Sequence, residues 1–181
     1  MRHLLIGGLA ALALTACEQQ ARDAPPPKTE SGQPALTQSD QDYVYRAAIA
    51  DMLEIESSKV AMERSANADV KAFARMMIDA HSKTSAELKG VVSGAALPIT
   101  PPAELGEGEK RKVEDLDTID ADAFDKAYMD GQVEAHQNAM DLHMRYAQNG
   151  QQADLKGFAA AVAPAVREHY DMARTLHMNL K

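Results

Sequence analysis

Beyond about residue 38 the chain repeats one pattern, apolar side chains at three- and four-residue spacing in four long stretches, and only junctions of a few residues divide them in pairs. The first stretch opens near Ser39, where Ser39 and Asp42 have the spacing of a capping box, and runs to about Ala66. After a junction at Asn67 the second runs from about Asp69 to Ser93, and Gly94, free to take a positive φ, suits its C-cap. The third extends from a cap at Asp120 or Asp122 to Gln148 and stops at Asn149-Gly150. The fourth covers Ala153 to Met178, with Pro164 expected to kink it or to start a new segment. Residues 94–106, with Pro98, Pro101 and Pro102, form the one long loop, and a short charged helix from Glu107 to Leu116 follows it. The short junctions make antiparallel hairpins of stretches one and two and of stretches three and four. The expected fold over residues 39–181 is therefore all-α, an up-down four-helix bundle. A composition rich in Ala, Met, Glu, Gln and Lys, without Trp, agrees with helices.

Each apolar seam is interrupted by an ionisable side chain near the middle of its helix. The second seam reads Val70, Phe73, Met77, His81, Thr84, Leu88, Val91; the third Met129, Val133, His136, Met140, His143, Ala147; the fourth Leu155, Phe158, Val162, Val166, His169, Ala173, Leu176. On the first, Glu56 lies among Ile49, Met52, Leu53 and Val60, while Glu54 points to a smaller alanine and serine side. Glu56, His81, His136 and His169 are thus expected to converge at one level of the bundle.

Buried ionisable groups are costly unless paired or bound. The plainest reading is a hydrogen-bonded polar layer that fixes helix register in a structural or interaction protein without catalysis. The alternative is a single transition-metal site drawing on Glu56, His81, His136, His143 and His169, since facing helices build such sites from imidazole and carboxylate. The Glu-x-x-His pattern of di-iron bundles is missing, because Ile78, Val133, Met140, Val166 and Arg174 stand three residues before the histidines. That argues against a metal-dependent oxidoreductase of the di-iron kind. A softer set of His136, Met140, His143 and Met144 on one helical side would suit copper. The chain has no Gly-rich phosphate loop, G-x-S-x-G elbow or H-E-x-x-H, and its formal net charge of −8 without a basic groove speaks against nucleotide and nucleic-acid partners.

The N-terminus points to the cell envelope. Arg2 precedes the apolar run Leu4 to Leu14, and LTAC follows at Leu14 to Cys17, the only cysteine. This resembles a bacterial lipoprotein signal peptide, which implies removal of residues 1–16 and lipidation of Cys17, with palmitate among the expected acyl groups. Residues 17–38, with four prolines and few bulky apolar side chains between Glu18 and Thr37, read as a flexible tether. Glu18 is not the aspartate associated with inner-membrane retention, so the resemblance implies an outer-membrane anchor facing the periplasm, with an envelope protein as a potential partner.

Three passages carry a second resemblance: IESSKVAMERSANADVKAFARMMIDAHSKTSAEL, VEAHQNAMDLHMRYAQNG and LKGFAAAVAPAVREHYDMARTL. Together they are similar to the uncharacterised bacterial domain family numbered 4142, often labelled as outer-membrane proteins, over about residues 40–178. The resemblance implies a ferritin-like helical fold and an envelope location but no accepted activity. His81, His136 and His169 fall on the family pattern, whereas His143 and His177 do not, and alanine stands before Pro164 where the family often has leucine.

Overall fold

The computed structural model describes residues 35–180. The expected signal peptide, Cys17 and the expected tether up to residue 34 lie outside the described residues. Among the described residues five helices follow in order: α1 (Gln38–Arg64), α2 (Ala68–Gly94), α3 (Glu107–Asp117), α4 (Ala121–Asn149) and α5 (Ala153–Asn179). No strand occurs among the described residues. None of these helices is long and apolar enough to cross a membrane.

Local chemistry sets the helix ends. The capping box of α1 is formed by Thr37 and Asp40 rather than by Ser39 and Asp42, so α1 begins earlier than the sequence spacing suggested. Asp40 is also fully buried, where it accepts a hydrogen bond from Tyr146 of α4, and this second partner favours it over exposed Asp42. Asn67 caps α2 through the backbone N–H groups of Asp69 and Val70. At the other end of α2, Gly94 is the last helical residue and Ala96, at φ 49°, takes the left-handed position. The N–H of Leu97 bonds Val92 O at 3.0 Å and that of Ala96 bonds Ser93 O at 3.1 Å, the paired closure of a Schellman motif. Its apolar contact is supplied by Leu97, packed on the core cluster that holds Val92. Gly150 ends α4 as expected, because a Cβ there would lie 2.6 Å from the Tyr146 ring. Helix α5 runs on through Pro164 as one helix. Pro164 and Ala160, whose carbonyl loses its partner, are both exposed, so water can take the place of the missing donor.

The hairpins α1–α2 and α4–α5 pack on each other, α1 against α4 and α2 against α5. Tyr146 near the end of α4 meets Asp40 at the start of α1, and Tyr128 near the start of α4 meets Ser58 toward the end of α1, at 2.8 Å between hydroxyls. All neighbouring helices of the bundle are therefore antiparallel. The passage 95–120 carries the chain back along the bundle, and α3 within it packs across α1. Arg64 fixes its far end by donating to the carbonyls of Asp117 and Ile119, with its guanidinium over the Phe124 ring.

The apolar interior is divided in two. One cluster gathers Tyr43, Val44, Leu88, Val92, Tyr146, Leu155 and Phe158 at one end. The other gathers Val70, Phe73, Met77, Phe124, Tyr128 and Met129 at the opposite end. Between them, buried Asp51, Glu54, His81, Gln132 and His136 form a polar layer.

Candidate metal centre

Helices α2, α4 and α5 each bring one histidine to this layer. The rings of His81, His136 and His169 lie 5.5–5.7 Å apart, centroid to centroid. One nitrogen from each lies within 4.8 Å of the other two. Their burial follows from the seams: His81 is one turn beyond Met77, His136 one turn beyond Gln132, and His169 three residues past Val166, each on the inward face of its helix.

The hydrogen bonds decide which nitrogen of each ring is free. His81 Nδ1 is 2.8 Å from Asp51 Oδ1, and Ser85 Oγ donates to the other Asp51 oxygen at 3.2 Å. His136 Nδ1 donates to the Gln132 carbonyl at 2.8 Å. With Nδ1 committed on both rings, Nε2 is the remaining nitrogen of each, and both Nε2 atoms are buried without a hydrogen-bond partner, as is His169 Nδ1. Two buried imidazoles and one half-buried one thus leave one buried nitrogen each unsatisfied in the same space. A closed polar network would have used these atoms on one another or on the nearby carboxylates.

The carboxylates stand behind the rings. Asp51 bonds the nitrogen of His81 that faces away from the free Nε2, the arrangement in which an outer carboxylate orients a metal-ligating histidine. Glu54 Oε1 lies 4.0 Å from His136 Nδ1, again on the rear side, and Glu54 Oε2 is buried without a partner.

The protonation states fit free lone pairs on His136 and His169, whereas His81 is favoured in its protonated form in the metal-free protein, so an ion binding there has to displace a proton from Nε2. Burial, with the charge on His81, lowers the pKa of His136 to about 3 and that of His169 to about 4, so both are neutral at pH 7. Burial also opposes charge on His81, but the Asp51 hydrogen bond and the Glu54 carboxylate outweigh it and hold its pKa above the ordinary value. The Asp51 carboxyl is itself lifted by burial, so a proton is held between the two. Burial pushes Glu54 up to about 7, partly offset by the His81 charge.

Glu56 does not belong to the site. It is half-exposed and pairs with Lys59 at 2.7 Å on the outer side of α1. The inward stripe of α1 is Asp40, Tyr43, Val44, Ala47, Ala48, Asp51, Glu54, Ser58 and Ala61, the small and polar side rather than the bulky one. Met52 and Leu53, which drew the expected seam outward, line grooves shared with Val113 of α3. The rotation that removes Glu56 brings in Asp51 and Glu54. The recurrence of Asp51, Glu54, Ser58 and Ala61 at helical spacing was the available signal.

His143 is buried but stands two turns from His136 on α4, where its Nδ1 lies 3.0 Å from Tyr43 Oη. Tyr43 in turn stacks on Tyr146 at 3.8 Å. Burial brings the His143 pKa down to about 4. The set His136, Met140, His143 and Met144 does not assemble, since Met144 is largely exposed and Met140 packs against the apolar cluster.

A cavity of about 290 Å³ reaches this layer, lined by His81, His136 and His169 together with Asp51, Glu54 and His143.

Known structures share the architecture. A DUF305 fragment from Deinococcus radiodurans superposes with a TM-score of 0.68 at 12% identity, over 81% of this chain and all of that one. CopM in its Cu(I)-bound form superposes with a TM-score of 0.64 at 14% identity, over 79% of this chain and 98% of that one. No curated protein sequence matches the chain. The family model for the domain of unknown function DUF4142 matches residues 25–176. With that match spanning all but the last turn of the bundle, including the histidine layer that both helical hairpins build, the chain belongs to the DUF4142 family.

Proposed function

We propose that this domain binds a single first-row transition-metal ion between α2, α4 and α5, with His81 Nε2, His136 Nε2 and His169 Nδ1 as ligands. The observation that carries the reading is the convergence of three buried nitrogens that have no other partner. Neutral imidazole suits zinc, copper, iron and nickel, and burial keeps His136 and His169 neutral. Metal–nitrogen bonds of about 2.0–2.1 Å would draw the rings together by about an ångström. Asp51 holds the His81 tautomer and opposes the charge of the ion without occupying its coordination sphere. CopM, a copper-bound protein of the same architecture, is compatible with this reading, although at 14% identity the likeness is one of fold.

Titration of the purified chain with Zn(II), Fe(II), Cu(I) and Ni(II), followed by calorimetry and elemental analysis, tests the proposal. One ion per chain is expected, with binding lost in His81→Ala and His136→Ala and weakened roughly 10- to 100-fold in Asp51→Asn. Absence of stoichiometric binding to any of the four ions would return the layer to a purely architectural role.

We further propose that the domain works at the periplasmic side of the outer membrane, anchored through Cys17. The support is the run Leu4 to Leu14 followed by LTAC. Radiolabelled palmitate should enter the wild-type chain and not Cys17→Ser, and fractionation should show the variant released from membranes. Equal labelling of both would remove the anchor.

A further inference from the structure

Resting on the metal reading, the cavity beside the histidines raises a separate question, namely what completes the coordination of the bound ion. Among the described residues, no further side chain does. The group of donors within 4.8 Å of one another contains three imidazoles and no carboxylate. Asp51 is spent on His81 Nδ1, and Glu54 sits beside His136 Nδ1, behind the ring whose Nε2 faces the ion. Three protein ligands with a vacant position is the plan of sites that receive an external ligand, whereas purely structural sites close their sphere with protein atoms.

The cavity gives that position a route to solvent. Its inner end is made of buried His81 and His136, its walls include Ile49, Leu53, Leu142 and Val162, and its rim carries exposed Arg46 and Lys112 beside partly exposed Glu109. A volume of about 290 Å³ is near the lower end for small-molecule pockets. The order is therefore a metal at the floor, a largely apolar barrel and a rim with two cations and one carboxylate. A donor reaching the floor meets a divalent ion whose charge Asp51 and Glu54 of the same lining already offset in part, so one further negative charge and no more is favoured there. The atoms behind that donor meet hydrocarbon. We infer that the open coordination position takes a small monoanion with a short apolar body, the chemistry of a short-chain carboxylate, admitted past Arg46 and Lys112.

The test uses the full chain loaded with Co(II), whose visible absorption reports its coordination. Binding of Co(II) is measured first, without added anion, so failure at this stage overturns the metal site itself. On the loaded protein, azide should change the Co(II) spectrum. Formate, acetate, propionate and butyrate should do the same, with affinity rising about fourfold per added methylene until the cavity is full. Arg46→Glu should reduce carboxylate affinity several-fold. Stoichiometric Co(II) with a spectrum indifferent to azide and carboxylates would mean a closed or inaccessible sphere, overturning this inference while the metal site stands. A response to azide without any chain-length trend would equally overturn it, because the apolar barrel would then play no part.

Discussion

His136 is the residue at which the proposed ion binding and the stability of the metal-free fold make opposite demands. It is about 1% exposed, its Nε2 has no partner, and its ring stands against two other imidazoles. In the metal-free protein such an atom carries a desolvation penalty of about 1–3 kcal/mol without return. Replacing it by leucine, of similar volume, should therefore abolish metal binding and raise the stability of the metal-free domain by about 1 kcal/mol in urea denaturation. If the polar layer serves only to fix register, His136→Leu should instead destabilise or broaden the transition. Residue-level legibility was uneven. His81, His136 and His169 were visible because each falls on an otherwise apolar seam. The carboxylate was misplaced by two positions, Glu56 for Glu54, and Asp51 was missed, since Ile49, Met52 and Leu53 on α1 outweighed Ala47, Ser58 and Ala61 in any reading of apolar periodicity. Those bulky side chains serve α3, a packing partner whose position the sequence of α1 does not encode.

Among the elements, the junctions were read well where polar caps or glycine mark them, as at Asn67 and Gly150, and less well where a residue works against its preference. Ala96 is such a case: the left-handed position that closes α2 is held by alanine, one residue beyond the helix cap, although Gly94 stands nearby. The paired hydrogen bonds and Leu97 packing hold it there against an intrinsic cost of about 1–2 kcal/mol. Ala96→Gly should raise the stability of the domain by about 1 kcal/mol, read as an increased urea midpoint at unchanged slope. A lowered midpoint would show that chain entropy at this turn outweighs the backbone strain. The start of α1 was set two residues late because burial of Asp40 under Tyr146 is a tertiary fact, absent from local spacing.

At the scale of the whole molecule, the buried histidines give the metal-free bundle a defined response to acid. Unfolded, each takes up a proton near pH 6.5, whereas in the fold His136 stays neutral to about 3, and His143 and His169 to about 4. The unfolded chain then binds more protons, and stability falls as pH drops from 6.5 toward 4. Glu54 acts in the other direction: its pKa of about 7 in the fold, against an ordinary 4.5, adds stability at low pH that is lost as pH rises through 7. Asp51 and His81, also raised in the fold, act in the same direction as Glu54 and oppose the three lowered histidines, so the contribution to read separately is that of His143, about 1.4 kcal/mol per pH unit between its unfolded and folded values. In urea titrations of the metal-free protein between pH 7 and 4.5, His143→Gln should gain stability relative to the wild type as the pH falls. A difference between the two proteins that stayed constant with pH would contradict the assignment.

The distribution of the layer over the helices has one more consequence. The hairpin α1–α2 owns one imidazole and both carboxylates, and the hairpin α4–α5 owns two imidazoles and neither carboxylate. On the proposed metal reading, neither half of the molecule holds all three ligands by itself. Capture would then be conditional on the two halves having closed on each other in register, and the ion would be a latch that only the finished bundle can fasten.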